Sequence, residues 1–117
     1  MSLDISKFQE LVDTCREKAG PLARTVTGYG HIGDGNIHLN VVCADKSKKK
    51  ELEDAVEGWI IDYVTGLRGS ISAEHGLGVH KAQYLKNQKG PEVLEALVSV
   101  KNLFDPNNIM NPNKVFE

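Results

Sequence analysis

The segment that most constrains the fold of this 117-residue chain is GYGHIGDGNIHLN, at residues 28–40. Asp34-Gly35 is a strong signal for a two-residue hairpin turn, so the flanking residues are predicted to pair as antiparallel strands. Pairing outward from that turn sets His31 directly opposite His38. Opposed side chains have Cβ atoms about 4.5–5.5 Å apart. The sequence therefore predicts two imidazoles side by side on one face of a β-hairpin.

Two imidazoles at that spacing can hold one divalent cation, with metal–nitrogen bonds of about 2.0–2.1 Å. Tyr29 and Asn40 share the predicted face, and SAEHG, at residues 72–76, offers Glu74 and His75 as further ligands. Two histidines and one carboxylate leave positions open for a substrate, as catalytic metal sites require. A polar cross-strand pair that only packs fits the same residues. A metal site and a plain hairpin both remain open from the residues alone.

The same segment contains the pattern G-x-G-x-x-G at residues 28–33. A dinucleotide-binding fingerprint needs a strand before this pattern and a helix that opens at it. Here a turn and a second strand are predicted to follow, so the match is interpreted as accidental. The glycines are assigned to the turn and to close approach of the backbone to a large, flat group.

Helical and extended periodicity predict the remaining elements. Ser47 is the predicted N-cap of the second helix, and Gly66 or Gly69 its end. His80 is interpreted as a surface residue at a helix start, and the lysine-rich run 46–50 as a solvated face. The predicted helices begin at Ile5, Ser47, Lys81 and Pro91 and end at Ala19, Gly66 or Gly69, Gln88 and Phe104. The predicted strands cover residues 24–30 and 36–43, and residues 69–76 are predicted to form a short strand that ends in a loop.

This order of elements predicts an α+β fold: a ferredoxin-like split βαβ sheet that lacks its first strand and carries additional C-terminal helices. The missing strand suggests a single domain, residues 1–117, cut from a longer protein. An unpaired sheet edge is a template for strand pairing. We therefore expect that such a fragment can dimerise through that edge.

Composition excludes several classes of function. Hydrophobic residues make up 40% and charged residues 26% of the chain, as in soluble globular proteins, and the net charge of -2 gives no basic character for nucleic acid binding. No apolar run is long enough to span a membrane, and the N-terminal residues do not resemble a secretory signal. Cys15 and Cys43 lack metal-type spacing and are interpreted as buried thiols of an intracellular protein and not as a disulfide framework.

Three segments, GYGHIGDGNIHLN, SISAEHGLGVHK and FDPNNIMNPNK, together resemble the C-terminal domain of FAD-linked oxidases and dehydrogenases of D-2-hydroxy acids. Within that family the resemblance is nearest to the D-2-hydroxyglutarate dehydrogenases, with the D-lactate dehydrogenases and the glycolate oxidase D subunits as relatives. It extends from about residue 24 to the C-terminus. Three motifs in the family's order make it specific, although they do not fix the substrate.

The resemblance implies a role for each matching residue. Asn113 stands where the family usually has Tyr or Gly, a departure that puts little in doubt. The implied chemistry is oxidation of a hydroxy acid to its 2-oxo acid, with hydride passing to the flavin. The implied roles are His31, His38 and Glu74 as ligands of a divalent metal, usually zinc; His75 as the catalytic base; Asn40 as a substrate contact; and Asn111 near the flavin.

The resemblance also implies partners. FAD would be bound mainly by a domain that these residues do not contain, and the electron acceptor would be an electron-transfer flavoprotein, a quinone or a cytochrome. Eukaryotic relatives are often mitochondrial, and bacterial ones are cytoplasmic or membrane-associated. Two other interpretations compete with this one: a stand-alone metal-binding ferredoxin-like module with a sensory or structural role, and an interaction domain whose histidines only pack.

Overall fold

The computed structural model describes residues 1–116, and the side chains of all of them except Asn87. The chain divides into two compact units, the first covering Met1–Glu74 and the second beginning at His75. No described helix has the length and apolar character needed to cross a membrane. The first unit contains α1 (Phe8–Ala19), β1 (Ala23–His31), β2 (Asn36–Cys43) and α2 (Lys49–Gly66), and the second contains α3 (Leu85–Gln88) and α4 (Pro91–Phe104).

The core of the first unit lies between the β-hairpin and its two long helices. The apolar stripe of α1 is buried on one face of the hairpin, and α2 adds its own buried residues to the same cluster, as their helical periodicity predicts. One face of the hairpin is thus covered by helices. The buried cluster consists of Leu3, Leu11, Val12, Cys15, Ala19, Val26, Ile37, Leu52 and Val56.

Glycines on the covered face of β1 allow this close packing. A Cβ atom on Gly28 would lie 2.6 Å from Val12 Cγ2, and one on Gly30 would lie 1.9 Å from the Asn36 carbonyl oxygen. Both distances are far inside van der Waals contact. The sequence predicted that the backbone at these glycines lies close to a large, flat group. In the structure, the backbone lies close to α1 at Gly28 and to the Asn36 backbone at Gly30.

The strand register differs from the predicted one by two residues. Tyr29 pairs with His38, and His31 pairs with Asn36, so the predicted pairing of His31 with His38 is wrong. Side chains alternate between faces with a period of two, so a two-residue shift leaves both histidines on the same face. They are diagonal neighbours, with Tyr29 rather than His31 directly opposite His38.

A longer loop than expected causes this shift. Ile32–Asp34 form one turn of 3-10 helix, and Gly35 follows in the left-handed conformation with φ of 67°. The Asn36 amide donates to Asp34 Oδ1 at 3.1 Å, which holds the turn closed. Four residues, 32–35, therefore connect the strands in place of the predicted two. The turn and second strand predicted to follow the G-x-G-x-x-G pattern are present, and no described α-helix opens at it.

The third predicted strand, residues 69–76, is reduced to one bridge. Ser70 pairs with Ser2, and Ser2 pairs on its other side with Asn36. Residues 1–3 thus lie between β2 and Ser70, antiparallel to both, and they cover Asn36, which is only 3% exposed. The α+β class is confirmed, as a two-stranded antiparallel sheet with helices, consistent with a partial ferredoxin-like arrangement.

Several helix ends follow the sequence signals, whereas α1 and α3 begin later than predicted, at Phe8 and Leu85, each after a turn of 3-10 helix. Gly20-Pro21 ends α1, α2 ends at Gly66, and α4 begins at Pro91, as expected. The predicted N-cap Ser47 is wrong: Asp45 accepts hydrogen bonds from the Ser47 amide and hydroxyl and caps a turn of 3-10 helix ahead of α2. Both cysteines are free thiols.

We predict that Gly30→Ala destabilises the chain by about 1–3 kcal/mol, because the new methyl group would have to displace the Asn36 carbonyl. Gly58→Ala is the matched control. Gly58 lies within α2 with no atom near its virtual Cβ, so that variant should be more stable by about 0.5–1 kcal/mol. Urea unfolding of both variants checks the pair. Equal stabilities would contradict the packing described for β1.

The hydrogen bond of Tyr63 should make the free energy of unfolding of the first unit depend on pH in the alkaline range. Its hydroxyl donates to Glu10 Oε1 at 2.8 Å, and burial, together with this bond to a carboxylate, raises the pKa of Tyr63 to about 12. An acid with a raised pKa stabilises the fold below its unfolded pKa, about 10, and loses that contribution as the pH rises through 12. The free energy of unfolding should fall more steeply between pH 10 and 12 in the wild type than in Tyr63→Phe, with Tyr84→Phe behaving as wild type.

Candidate metal centre

Three of the predicted site residues meet on the uncovered face of the hairpin. One ligand atom from each of His31, His38 and Glu74 lies within 4.8 Å of the other two. The closest pair is His38 Nε2 and Glu74 Oε1, 3.0 Å apart. The two imidazole rings have centroids 5.9 Å apart and an interplanar angle of 62°. The tertiary structure thus brings together two residues of the hairpin and one that is 36 positions beyond His38 in the chain.

The segment before Glu74 is anchored at several points. Ser70 exchanges backbone hydrogen bonds with Ser2, each 2.8 Å long, and Ile71 is buried with 3% exposure. Ala73 adopts a left-handed φ of 44°, and its amide lies 3.4 Å from Ser70 Oγ. These contacts fix the chain just ahead of the carboxylate. A turn at residues 73–75 carries Glu74, at the end of the segment for which a short strand ending in a loop was predicted.

The two histidines have different neighbours. His31 Nδ1 lies 3.5 Å from Asp34 Oδ2, within the hairpin loop. The His38 ring stacks on Tyr29, with centroids 5.2 Å apart and an interplanar angle of 21°. Strand alternation predicted that Tyr29 lies on the same face as the histidines, but it predicted no function for this residue. Asp34 was predicted only to form the turn. Had the four-residue loop been recognised, the register would have predicted the contact of Tyr29 with His38 and that of Asp34 with His31.

This donor set fits a divalent transition metal. Two imidazole nitrogens and one carboxylate oxygen are the ligands that zinc takes in open, catalytic sites. The side chains of His31, His38 and Glu74 are 55%, 26% and 42% exposed, so solvent and small molecules can reach them. A closed structural site would instead bury four protein ligands.

The other predicted site residues lie at different places. Asn40 is two positions beyond His38 on β2, opposite Thr27, and is exposed. His75 directly follows Glu74 in the chain and is the first residue of the second unit. His80 is exposed, as predicted. Asn111 lies in the C-terminal loop of the second unit and has a left-handed φ of 52°.

The Asp105 carboxylate holds the loop that carries Asn111 through several hydrogen bonds. Asp105 is 5% exposed and accepts hydrogen bonds from the amides of Ile109 and Met110, at 3.0 and 2.9 Å, and from Lys101 Nζ. The Lys101 ammonium also donates to the Met110 carbonyl at 2.7 Å. These bonds, that from Lys101 first, lower the pKa of Asp105. The loop geometry therefore depends on an ionised Asp105.

The described residues do not offer a cradle for a dinucleotide pyrophosphate. The dinucleotide-binding fingerprint places such a cradle at a glycine-rich turn between a strand and an α-helix N-terminus. The glycine pattern of this chain lies in β1 and the hairpin loop.

The matches with known proteins agree with the motifs. The family described as "FAD linked oxidases, C-terminal domain" matches residues 1–115, and the chain belongs to this family. It is 43% identical over 115 residues to the mitochondrial D-2-hydroxyglutarate dehydrogenase of Bos taurus, covering 98% of this chain and 21% of that protein. It is 45% identical over 94 residues to the D-2-hydroxyglutarate dehydrogenase of Stutzerimonas stutzeri, covering 78% and 20%.

A mitochondrial protein of Schizosaccharomyces pombe, provisionally named as a D-lactate dehydrogenase, is 46% identical over 89 residues, covering 76% of this chain and 16% of that protein. The chain therefore spans about a fifth of the length of the relatives it matches. The resemblance inferred from the three sequence motifs is confirmed, and it extends over the first helix as well.

Proposed function

We propose that this chain is the substrate- and metal-binding part, residues 1–117, of an FAD-dependent dehydrogenase that oxidises a D-2-hydroxy acid to the 2-oxo acid. D-2-hydroxyglutarate and D-lactate are the proposed substrates, after the names of the relatives. The observation that carries the proposal is the convergence of His31, His38 and Glu74, with ligand atoms within 4.8 Å of one another. Membership of an FAD-linked family supports the redox chemistry.

In this proposal His31, His38 and Glu74 hold a divalent metal, with zinc the first choice for two nitrogens and one oxygen. When bound, such an ion orients a carboxylate and a hydroxyl and makes the hydroxyl more acidic. The exposed face of the hairpin leaves room for a small hydroxy acid at these ligands. Asn40, on the same face as His38, is proposed to donate a hydrogen bond to the substrate.

His75 is the proposed base. A neutral imidazole can accept the proton of the substrate hydroxyl. A flavin, when bound, would supply the two-electron acceptor for the α-hydrogen. Its position next to Glu74 in the chain supports this assignment, because a residue that follows a metal ligand stays close to that ligand. A family resemblance in the SAEHG motif supports it as well.

FAD is proposed to be bound mainly by other parts of a longer polypeptide, with Asn111 as a contact from this chain. Supporting this partner, α4 and the loop after it expose large apolar side chains, including Leu103 at 75%, Phe104 at 77% and Ile109 at 77%. Exposed apolar surface of this extent marks an interaction site. We propose that the flavin-binding part of the same protein covers it.

The remaining partners follow the family. An electron-transfer flavoprotein or a quinone is the proposed electron acceptor. The location is proposed to be mitochondrial in a eukaryote, because the eukaryotic relatives carry that designation, and cytoplasmic otherwise. Pairing of a second copy at an exposed edge of the sheet stays a prediction; light scattering that finds only monomers at high concentration would contradict it.

The metal site predicts stoichiometric zinc binding by this chain. His31→Ala or His38→Ala should weaken binding by roughly 100-fold or more, since even loss of an outer-shell partner costs about 10–100-fold in metal affinity. Titration calorimetry with zinc, at a pH where histidine is neutral, measures this. His80→Ala is the matched control, because His80 is an exposed histidine outside the cluster.

Equal affinities of His31→Ala, His80→Ala and wild type would show that zinc binds elsewhere and would contradict the proposed centre. Glu74→Gln sharpens the test, because it keeps the size of the side chain and removes the charge. We expect its affinity to fall below that of His80→Ala, since a neutral amide is a poorer zinc ligand than a carboxylate.

Because FAD is proposed to be bound mainly by other parts of a longer polypeptide, we predict that the isolated chain lacks dehydrogenase activity. Supplied with FAD, zinc and an artificial electron acceptor, it should oxidise neither D-2-hydroxyglutarate nor D-lactate, because no described segment cradles the cofactor. Dye reduction measures this, with the Stutzerimonas stutzeri relative as the positive control. Turnover by the chain alone would refute the prediction.

A further inference from the structure

The stack between Tyr29 and His38 has no part in the function proposed above. The two residues are directly paired across the strands, and their rings lie 5.2 Å apart at an interplanar angle of 21°. The His38 nitrogen on the metal side is Nε2, 3.0 Å from Glu74 Oε1. The tyrosine therefore lies against the flat face of an imidazole whose edge faces the proposed ion.

The exposure of Tyr29 argues against a role in the core. Tyr29 is 64% exposed, so it is not part of the buried cluster. Exposed tyrosine alone is unremarkable on a strand, but here the ring is held against one specific partner. Its two chain neighbours, Gly28 and Gly30, point to the opposite, helix-covered face.

We propose that Tyr29 is a positioning residue for the metal centre: its ring fixes the plane of the His38 imidazole so that Nε2 points at the ion. This inference deepens the function proposed above and rests on the metal site. The ring, and not the hydroxyl, does the positioning. Phenylalanine should therefore replace tyrosine, whereas an aliphatic side chain of similar volume should not.

Two physical effects act in the same direction. Stacking restricts rotation of the imidazole before the ion arrives, so less conformational entropy is lost on binding. Coordination also draws electron density from the imidazole, and a ring with positive character is attracted to the face of an aromatic side chain. Aromatic pairs are stabilising beyond their buried area by an amount that corresponds to about a two- to tenfold change in affinity.

The test compares wild type, Tyr29→Phe and Tyr29→Leu in two measurements on the same chain. In the metal-free protein, NMR of the His38 ring protons reports the stack, because a neighbouring aromatic ring shifts them upfield relative to His80. We expect the upfield shift in wild type and Tyr29→Phe and its loss in Tyr29→Leu. Zinc titration should then give equal affinity for wild type and Tyr29→Phe, and about two- to tenfold weaker binding for Tyr29→Leu.

Each outcome decides a different point. Loss of affinity in both variants would assign the effect to the hydroxyl and overturn the inference. Equal zinc affinity of all three proteins would overturn it while leaving the metal centre intact. Failure of the wild type to bind zinc would overturn the metal centre, and the positioning role with it. Thr27→Ala, on the same face of β1 and opposite Asn40, controls for general disturbance of the strand and should behave as wild type.

Discussion

The close packing of α1 on β1 is the constraint on which the rest of the first unit depends. Gly28 and Gly30 leave the end of β1 near the hairpin loop without side chains on its covered face, so Val12 approaches Gly28 directly and the Asn36 carbonyl lies close to Gly30. A strand packed this tightly on one face must place its larger side chains on the other. Tyr29 and His31 therefore project from the uncovered face.

A hairpin face becomes a potential metal site only when a third donor reaches it. The third donor comes from Glu74, held by the pairing of Ser70 with Ser2 and by the buried side chain of Ile71. The residues at the start of the chain thus take part in placing the carboxylate. A centre built from two hairpin residues and one residue of an anchored turn can stay open on its outer side, which a substrate needs and a structural zinc site avoids.

In the second unit, too, hydrogen bonds hold an irregular segment, the C-terminal loop, in place. Asp105 satisfies two amides and one ammonium, and left-handed residues, Asn108 and Asn111 among them, give the loop its shape. Asparagine tolerates that conformation better than most residues, which explains an asparagine-rich tail in a loop that is nonetheless ordered by hydrogen bonds. The apolar residues exposed beside it are consistent with a chain that spans about a fifth of its relatives.

The sequence by itself determined the helices, the two hairpin strands and the face on which the histidines lie, because helical periodicity and strand alternation are local properties. It also excluded a dinucleotide site at residues 28–33, and its three motifs indicated the family. Only the tertiary structure decided the register, since a turn of 3-10 helix at Ile32–Asp34 lengthens the loop. It likewise decided that Tyr29 opposes His38 and that Glu74 reaches both histidines, because contacts between distant segments depend on packing that no local pattern encodes.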